Sequence, residues 1–334
     1  MVKLSELLRK SLEDKPSDKP GLISEALKVK TDKESLPEVK KKYEDTILQI
    51  KLIMDDIRDE KQVEGGEVVN IAKIIAESLR INNDALLFFA STFNSYEAKD
   101  DYFTLHSVNT AILSGVLGLG LNLGENELVD LCTSALLHDI GLLKIPPEIM
   151  NKPDELTEKE YEQVKRHPSF GMELLKNINN LPESVPEVIY QHHEREDGSG
   201  YPKGIKGNEI SRYAKIVAIV EVYEALIHPR SYRKKGNIPY IGVKKLIQEE
   251  RSSLDSRLIK VFLNCITPYP PGSIVLLNNS EIGRVVAVNK TIPLRPVVQI
   301  FYDTKGKPPE ETKMIDLSES PVLYIEKALE ESEL

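Results

Sequence analysis

Between residues 102 and 266, apolar side chains recur at helical spacing in one segment after another, and no convincing strand pattern lies between them. Helices are expected over about 102–121, ended by Gly124, and 125–139, ended by Gly141. Thr157 with Glu160 is a capping box that opens another, interrupted by Pro168. More follow at about 185–194, 212–227, 240–250 and 256–265. This part of the chain is therefore all-α, and groups that meet in its interior must come from several helices.

The flanks have a different texture. Residues 1–35 carry Lys, Asp, Pro and Ser with little periodicity and read as a flexible segment. Over 36–59 Val39, Tyr43, Ile47, Ile50, Ile53 and Ile57 make an amphipathic helix that must cover one face with a neighbour or a second subunit. The second option predicts a homodimer. Gly65 and Gly66 are expected to stop that helix, with two more over 68–79 and 83–95. After the run Pro268 to Gly272, the short β-branched runs SIVLLNN, EIGRVVAVN and PVVQIFYD predict a small β subdomain over 267–334. The organisation read here is 1–35 flexible, 36–97 helical, regulatory or dimerising, 98–266 the main helical domain, and 267–334 β.

Composition narrows the partners. A net charge of −9 argues against polymeric nucleic acid, which needs clustered Lys and Arg. The first residues lack the apolar core of a secretory signal, and the longest apolar stretch, around 110–123, is too short for a bilayer. Cys132 and Cys265 form no metal or disulfide pattern. These features predict a cytoplasmic protein without membrane contact.

The chemistry sits in the histidines. There are six, and five of them, together with two carboxylates, fall one per helical segment: His106, His138 with Asp139, His167, the adjacent pair His192 and His193, and Glu221. Successive positions are 25 to 32 residues apart, about one helix plus its connection, so each helix could turn one ligand inward. Taken singly, most have a plainer reading. His106 could be a hydrogen-bonded core residue and His167 a surface residue beside a kink. Glu221 lies in KIVAIVEVYEALI, where a buried carboxylate needs a partner, and a metal is the natural one. Imidazole and carboxylate donors without thiolate suit iron, manganese or zinc. More than four donors, with Asp139 able to bridge, suit a two-metal site of the kind that drives in-line phosphoryl displacement.

The residues His106-Ser-Val-Asn, Leu-Leu-His138-Asp139-Ile-Gly, Lys165-Arg-His167-Pro, the block from His192 through Gly200-Tyr201-Pro202, and Arg230-Ser-Tyr232-Arg233 resemble the HD-GYP domain, a subgroup of the HD phosphohydrolases. The resemblance runs over about 98–266, and the β tail is similar to one that often follows these domains. It implies a mainly α fold, a helical HD-type bundle with an N-terminal helical region and a small C-terminal β subdomain. It implies a bacterial cyclic di-GMP phosphodiesterase giving pGpG and further GMP through a metal-bridging hydroxide. Two divalent ions are implied, iron first and manganese second. His106, His138, Asp139 and Glu221 would hold one, and Asp139, His167, His192 and His193 the other. Asp139 and Asp197 are the implied catalytic carboxylates. Arg230 and Arg233 would meet the phosphates or guanine of a cyclic dinucleotide, although plain solvation in a basic turn explains them equally. Gly200 and Tyr201 would line the substrate groove or meet a partner protein.

Three positions depart from the family pattern. Leu142 stands where a lysine usually reaches a phosphate, and Lys144 is two residues further on. Glu221 replaces the usual Asp, and Tyr102 replaces the Glu of members with a third metal. Losing one charge-assisted phosphate contact costs roughly 1.5–3 kcal/mol, which slows a catalyst without abolishing it. A second reading follows: a weakened member acting as a cyclic dinucleotide receptor or a protein-interaction module.

Overall fold

A computed structural model describes residues 36–92, 102–228, 237–249, 252–289, 292–309 and 311–329. Arg230 and Arg233, the segment 1–35 and the expected helix end at 93–95 lie outside these. The chain divides into a helical unit, 33–237 with 241–266, and a β unit formed by 267–334 with 238–240.

In the helical unit α1 spans Leu36–Arg58, and its apolar stripe of Val39, Tyr43, Ile50, Ile53 and Ile57 is buried. The stripe packs on α2 (Gly65–Thr92) and α3 (Tyr102–Gly120), so no second subunit is needed to cover it and the ground for expecting a homodimer is gone. Gly65 and Gly66 open α2 rather than ending α1. The two helices expected over 68–95 meet inside α2 at Asn82, whose non-helical backbone (φ −146°, ψ 72°) separates them and whose Oδ1 accepts from the Ala85 amide as the cap of the second. The 36–92 helices and those of 102–266 share one continuous apolar core.

Helix α3 runs through the middle of this core and is buried from Thr104 to Gly118. By length and composition it could cross a membrane, contrary to the expectation from sequence, yet 83% of its apolar window is covered by the rest of the unit. Its neighbours are α4 (Glu125–Leu137) and α9 (Arg212–Ile227). Helix α4 stops before Gly141, with His138 as its C-cap, and a 3₁₀ turn follows over Ile140–Lys144. Between it and α9 come α5 (Pro147–Met150), α6 (Glu158–Val164), α7 (His167–Leu174) and α8 (Ser184–Gln191). The Thr157–Glu160 capping box opens α6 as expected, and Pro168 sits in the first turn of α7, where its missing N–H costs nothing. Helices α10 (Pro239–Glu249) and α11 (Ser256–Cys265) follow. Two strands were not foreseen: β1 (Val63–Glu64) pairs in parallel with β2 (Ile178–Asn179), and two residues are too few to show an alternating pattern.

The β unit is an antiparallel sheet of β3 (Ile274–Leu277), β4 (Ile282–Ala287), β5 (Val297–Tyr302), β6 (Lys313–Asp316) and β7 (Ile325–Leu329), ordered β6-β5-β4-β3-β7. Its core gathers Val275, Leu277, Val285, Val298, Ile300 and Ile315. The three β-branched runs become the central strands. The edge strands KMID and IEKAL are half charged, so composition concealed them.

Candidate metal centre

Each candidate donor stands at a helix end or on a buried helix face. His106 is on α3, His138 and Asp139 follow α4, His167 begins α7, His192 caps α8 with His193 after it, and Glu221 is on α9. Donor atoms of His106, His138 and Asp139 all lie within 4.8 Å of one another, as do those of Asp139, His167, His192 and His193. Asp139 belongs to both groups. Its Oδ2 is 3.5 Å from both His106 Nε2 and His138 Nε2, and its Oδ1 is 3.2 Å from His167 Nε2 and 3.5 Å from His192 Nε2. A close backbone approach makes this convergence. A Cβ on Gly141 would lie 1.9 Å from the His167 carbonyl oxygen and 2.5 Å from the Gly171 amide, so the turn after Asp139 rests directly on α7.

The outer contacts orient the imidazoles. Nδ1 of His138 lies 2.7 Å from the Ala135 carbonyl, that of His167 2.8 Å from Val164, and that of His192 3.0 Å from Ile189. A carbonyl only accepts, so this network assigns the proton to Nδ1 and turns the Nε2 lone pair inward, the usual arrangement behind metal-ligating histidines. His167 Nε2 and His192 Nε2 then face each other at 3.1 Å. Two lone pairs at that distance repel unless a cation or proton lies between them. Two nitrogens about 2.1 Å from one ion and at right angles would be about 3.0 Å apart. The buried atoms His138 Nε2 and Glu221 Oε2 have no hydrogen bond among the described residues. Unpaired donors of this kind, with no thiolate, fit divalent metal ions.

The electrostatics agree. Burial works to raise the Asp139 pKa, but His138 and the imidazoles of His106, His167 and His192 against its oxygens hold it well below the usual carboxylate range. Burial lowers His138 to about 4, and lowers His192 and His193 as well. Burial opposes protonation of His167 too, but Asp139 outweighs it and the net shift is upward. A histidine whose folded pKa is depressed contributes stability that is complete above its unfolded value and lost as pH falls through the folded one. Three such groups oppose one, His167, whose contribution runs the other way. The melting temperature of metal-free protein is therefore expected to fall as pH drops from about 6.5 toward 4. Thermal melts in chelator across that range check this; a flat or rising profile contradicts it.

The rim is built by the residues after His193. Glu194 is buried and accepts the amides of Lys203 (2.7 Å) and Ile205 (3.1 Å), folding the loop back on itself. Gly200 lies against the backbone: a Cβ there would be 2.3 Å from the His193 carbonyl oxygen and 2.6 Å from the Arg195 amide nitrogen. Its evident role is close packing. Tyr201, which precedes a cis peptide bond to Pro202, stacks on His193 with ring centres 4.5 Å apart, and the Lys165 ammonium lies 5.7 Å over its ring. Asp197 is exposed and accepts from the amide and hydroxyl of Ser199 (2.9 and 2.6 Å), which makes it a turn-holding residue and leaves it out of both donor groups. Lys144, two residues past Leu142, forms an exposed ion pair with Glu173 at 2.7 Å.

Glu221 also differs from expectation. It belongs to neither donor group, and its Oε2 lies 3.7 Å from His193 Nδ1. Burial, followed by the Asp139 charge, raises its pKa. The residue that the sequence reading missed is Glu224. It is buried, its Oε2 lies 2.5 Å from His106 Nδ1, and its Oε1 lies 3.0 Å from His228 Nδ1. Burial would raise its pKa, but His106 and His228 hold it well below the ordinary value. The signal was present in the sequence: Glu224 is a second acid in the same apolar helix, three residues past Glu221.

Comparison with known proteins agrees with this geometry. Residues 92–258 match the model of the HD domain, and residues 274–334 match that of a KOW domain associated with HD domain. The chain belongs to the HD domain family. It is 34% identical over 210 residues to the cyclic di-GMP phosphodiesterase PdeB of Borreliella burgdorferi, covering 63% of this chain and 55% of that protein. It is 30% identical over 262 residues to the cyclic di-GMP phosphodiesterase PA4108 of Pseudomonas aeruginosa, covering 78% of this chain and 62% of the other. The match thus spans little more than half the length of these relatives. Bd1817, an HDG"Y"P protein from Bdellovibrio bacteriovorus, shares the fold with a TM-score of 0.56 and 20% identity over 72% of this chain and 75% of that one.

Proposed function

We propose that the chain hydrolyses a cyclic dinucleotide, cyclic di-GMP, to the linear dinucleotide pGpG and onward to GMP at a pair of divalent ions. Iron is the first choice, with manganese second. The observation that carries this reading is Asp139, one carboxylate shared by two donor groups otherwise made of histidines, of which His106, His138, His167 and His192 turn Nε2 toward it. The names of the relatives at 30–34% identity support the substrate class. Bound there, the ions supply Lewis acidity and an activated nucleophile for in-line displacement at phosphorus. The chain's part is to hold the donors. Asp139 stays ionised between the groups, His138 and His192 present neutral nitrogen, and Tyr201 walls the His193 side. Lys165 places a cation beside Tyr201, suited to a phosphate entering over the rim. Arg230 and Arg233 are further proposed phosphate or guanine contacts.

Protein purified without air, loaded with iron or manganese and kept reduced, is expected to convert cyclic di-GMP to pGpG. Absence of linear product, with two ions per chain confirmed, overturns the reading. One observation favours a receptor instead: Leu142 is apolar where the family resemblance puts a lysine that reaches a phosphate. Leu142→Lys is expected to raise turnover about ten- to hundred-fold if hydrolysis is the function. Full nucleotide occupancy without hydrolysis, unchanged in that variant, supports the receptor.

A further inference from the structure

The hydrogen bonds around His106 continue past Glu224. Asn109, one turn along α3 from His106, points its Nδ2 at Glu224 Oε1 at 3.4 Å. Its Oδ1 accepts from the Tyr43 hydroxyl at 2.7 Å. Tyr43 is on α1, 66 residues away in sequence and outside the 92–258 match to the HD domain. All four side chains are buried: Tyr43 is 1% exposed, Asn109 0%, His106 1% and Glu224 1%. The Tyr43 ring is itself held, stacked on Phe89 of α2 with centres 5.7 Å apart.

This is a relay with a definite direction. The phenol donates to the Asn109 carbonyl, which leaves the amide NH₂ to donate to Glu224. Glu224, its Oε1 shared by Asn109 and His228, offers Oε2 to His106 Nδ1. That contact places the His106 proton on Nδ1 and turns Nε2 toward Asp139, 3.5 Å away. His138, His167 and His192 are each oriented by a backbone carbonyl three residues earlier in the chain. His106 is oriented by a side chain, and that side chain is steadied by a helix from outside the family match.

We propose that Tyr43 and Asn109 are positioning residues for the metal centre, acting through Glu224 on His106, so that α1 is part of the metal site's support. The inference rests on the proposed two-metal reading. It commits to an asymmetry. Only the group of His106, His138 and Asp139 depends on the relay, whereas in the other group His167 and His192 have their own carbonyl supports.

The test is manganese binding to the full chain, with stepwise affinities read by chelator competition. Wild type is expected to bind two ions. Tyr43→Phe keeps the stacked ring and removes only the hydroxyl, and is expected to weaken one ion roughly two- to ten-fold while leaving the other unchanged. Asn109→Ala is the second variant, expected to show the same one-ion loss, and adding Tyr43→Phe to it is expected to cause no further loss. A purely structural role would lower the melting temperature and leave both affinities as in wild type. Identical isotherms for both variants beside a two-ion wild type overturn the inference alone. A wild type that binds no ion overturns the metal-centre reading, and this inference with it.

Discussion

Asp139→Ala is expected to remove both metal ions and, with them, hydrolysis. Its two oxygens face four imidazoles at 3.2 to 3.5 Å, two in each donor group. Replacing a residue that merely orients a ligand typically costs about 10- to 100-fold in metal affinity, and a direct donor common to two ions costs more than that at each. Without the carboxylate, the histidines also lose the charge that favours a cation among them. Metal content per chain after gel filtration checks this, since wild type is expected to retain two ions and the variant none. Retention of one tightly bound ion would show that Asp139 is not shared. The fold is expected to survive, because the metal-free variant no longer buries an ionised carboxylate.

Gly141→Ala is expected to cost more stability than any other single methyl near the site. The added Cβ would stand 1.9 Å from the His167 carbonyl oxygen and 2.5 Å from the Gly171 amide, both backbone atoms with no rotamer to yield. Forcing atoms into a packed interior costs typically about 1–3 kcal/mol and more where backbone must move, so a loss of about 3 kcal/mol or more is expected in denaturant titration. The movement would separate His167 from Asp139, so metal binding by the second group should fail as well. Gly66→Ala is the control. A Cβ there meets nothing within 4 Å, and alanine is the better helix former, so stability is expected to be unchanged or slightly higher. Equal stability of the two variants would show that the turn does not rest on α7.

Much of the fold was legible because helical periodicity is local. The expected helices over 102–121, 212–227 and 256–265 appear within a residue or two, and the Thr157 cap opens its helix where the box stands. The errors fell where an outcome depends on distant partners. The paired glycines at 65 and 66 begin a helix instead of ending one, and the two-residue strands β1 and β2 pair across more than a hundred residues of chain. Of the candidate site residues, the five histidines and Asp139 converge. Glu221 sits to one side, Asp197 holds a turn, and Gly200 serves packing.

The division follows from range. The kinds of donor, imidazole and carboxylate without thiolate, and their recurrence one per helix were written in the residues, because donor chemistry belongs to a side chain and helical period to its neighbours. Which nitrogen turns inward, which carboxylate is shared and which merely supports could be decided only in three dimensions. A tautomer is set by whichever acceptor lies beside Nδ1, and for His106 that acceptor is Glu224, 118 residues away and steadied by Asn109 and Tyr43.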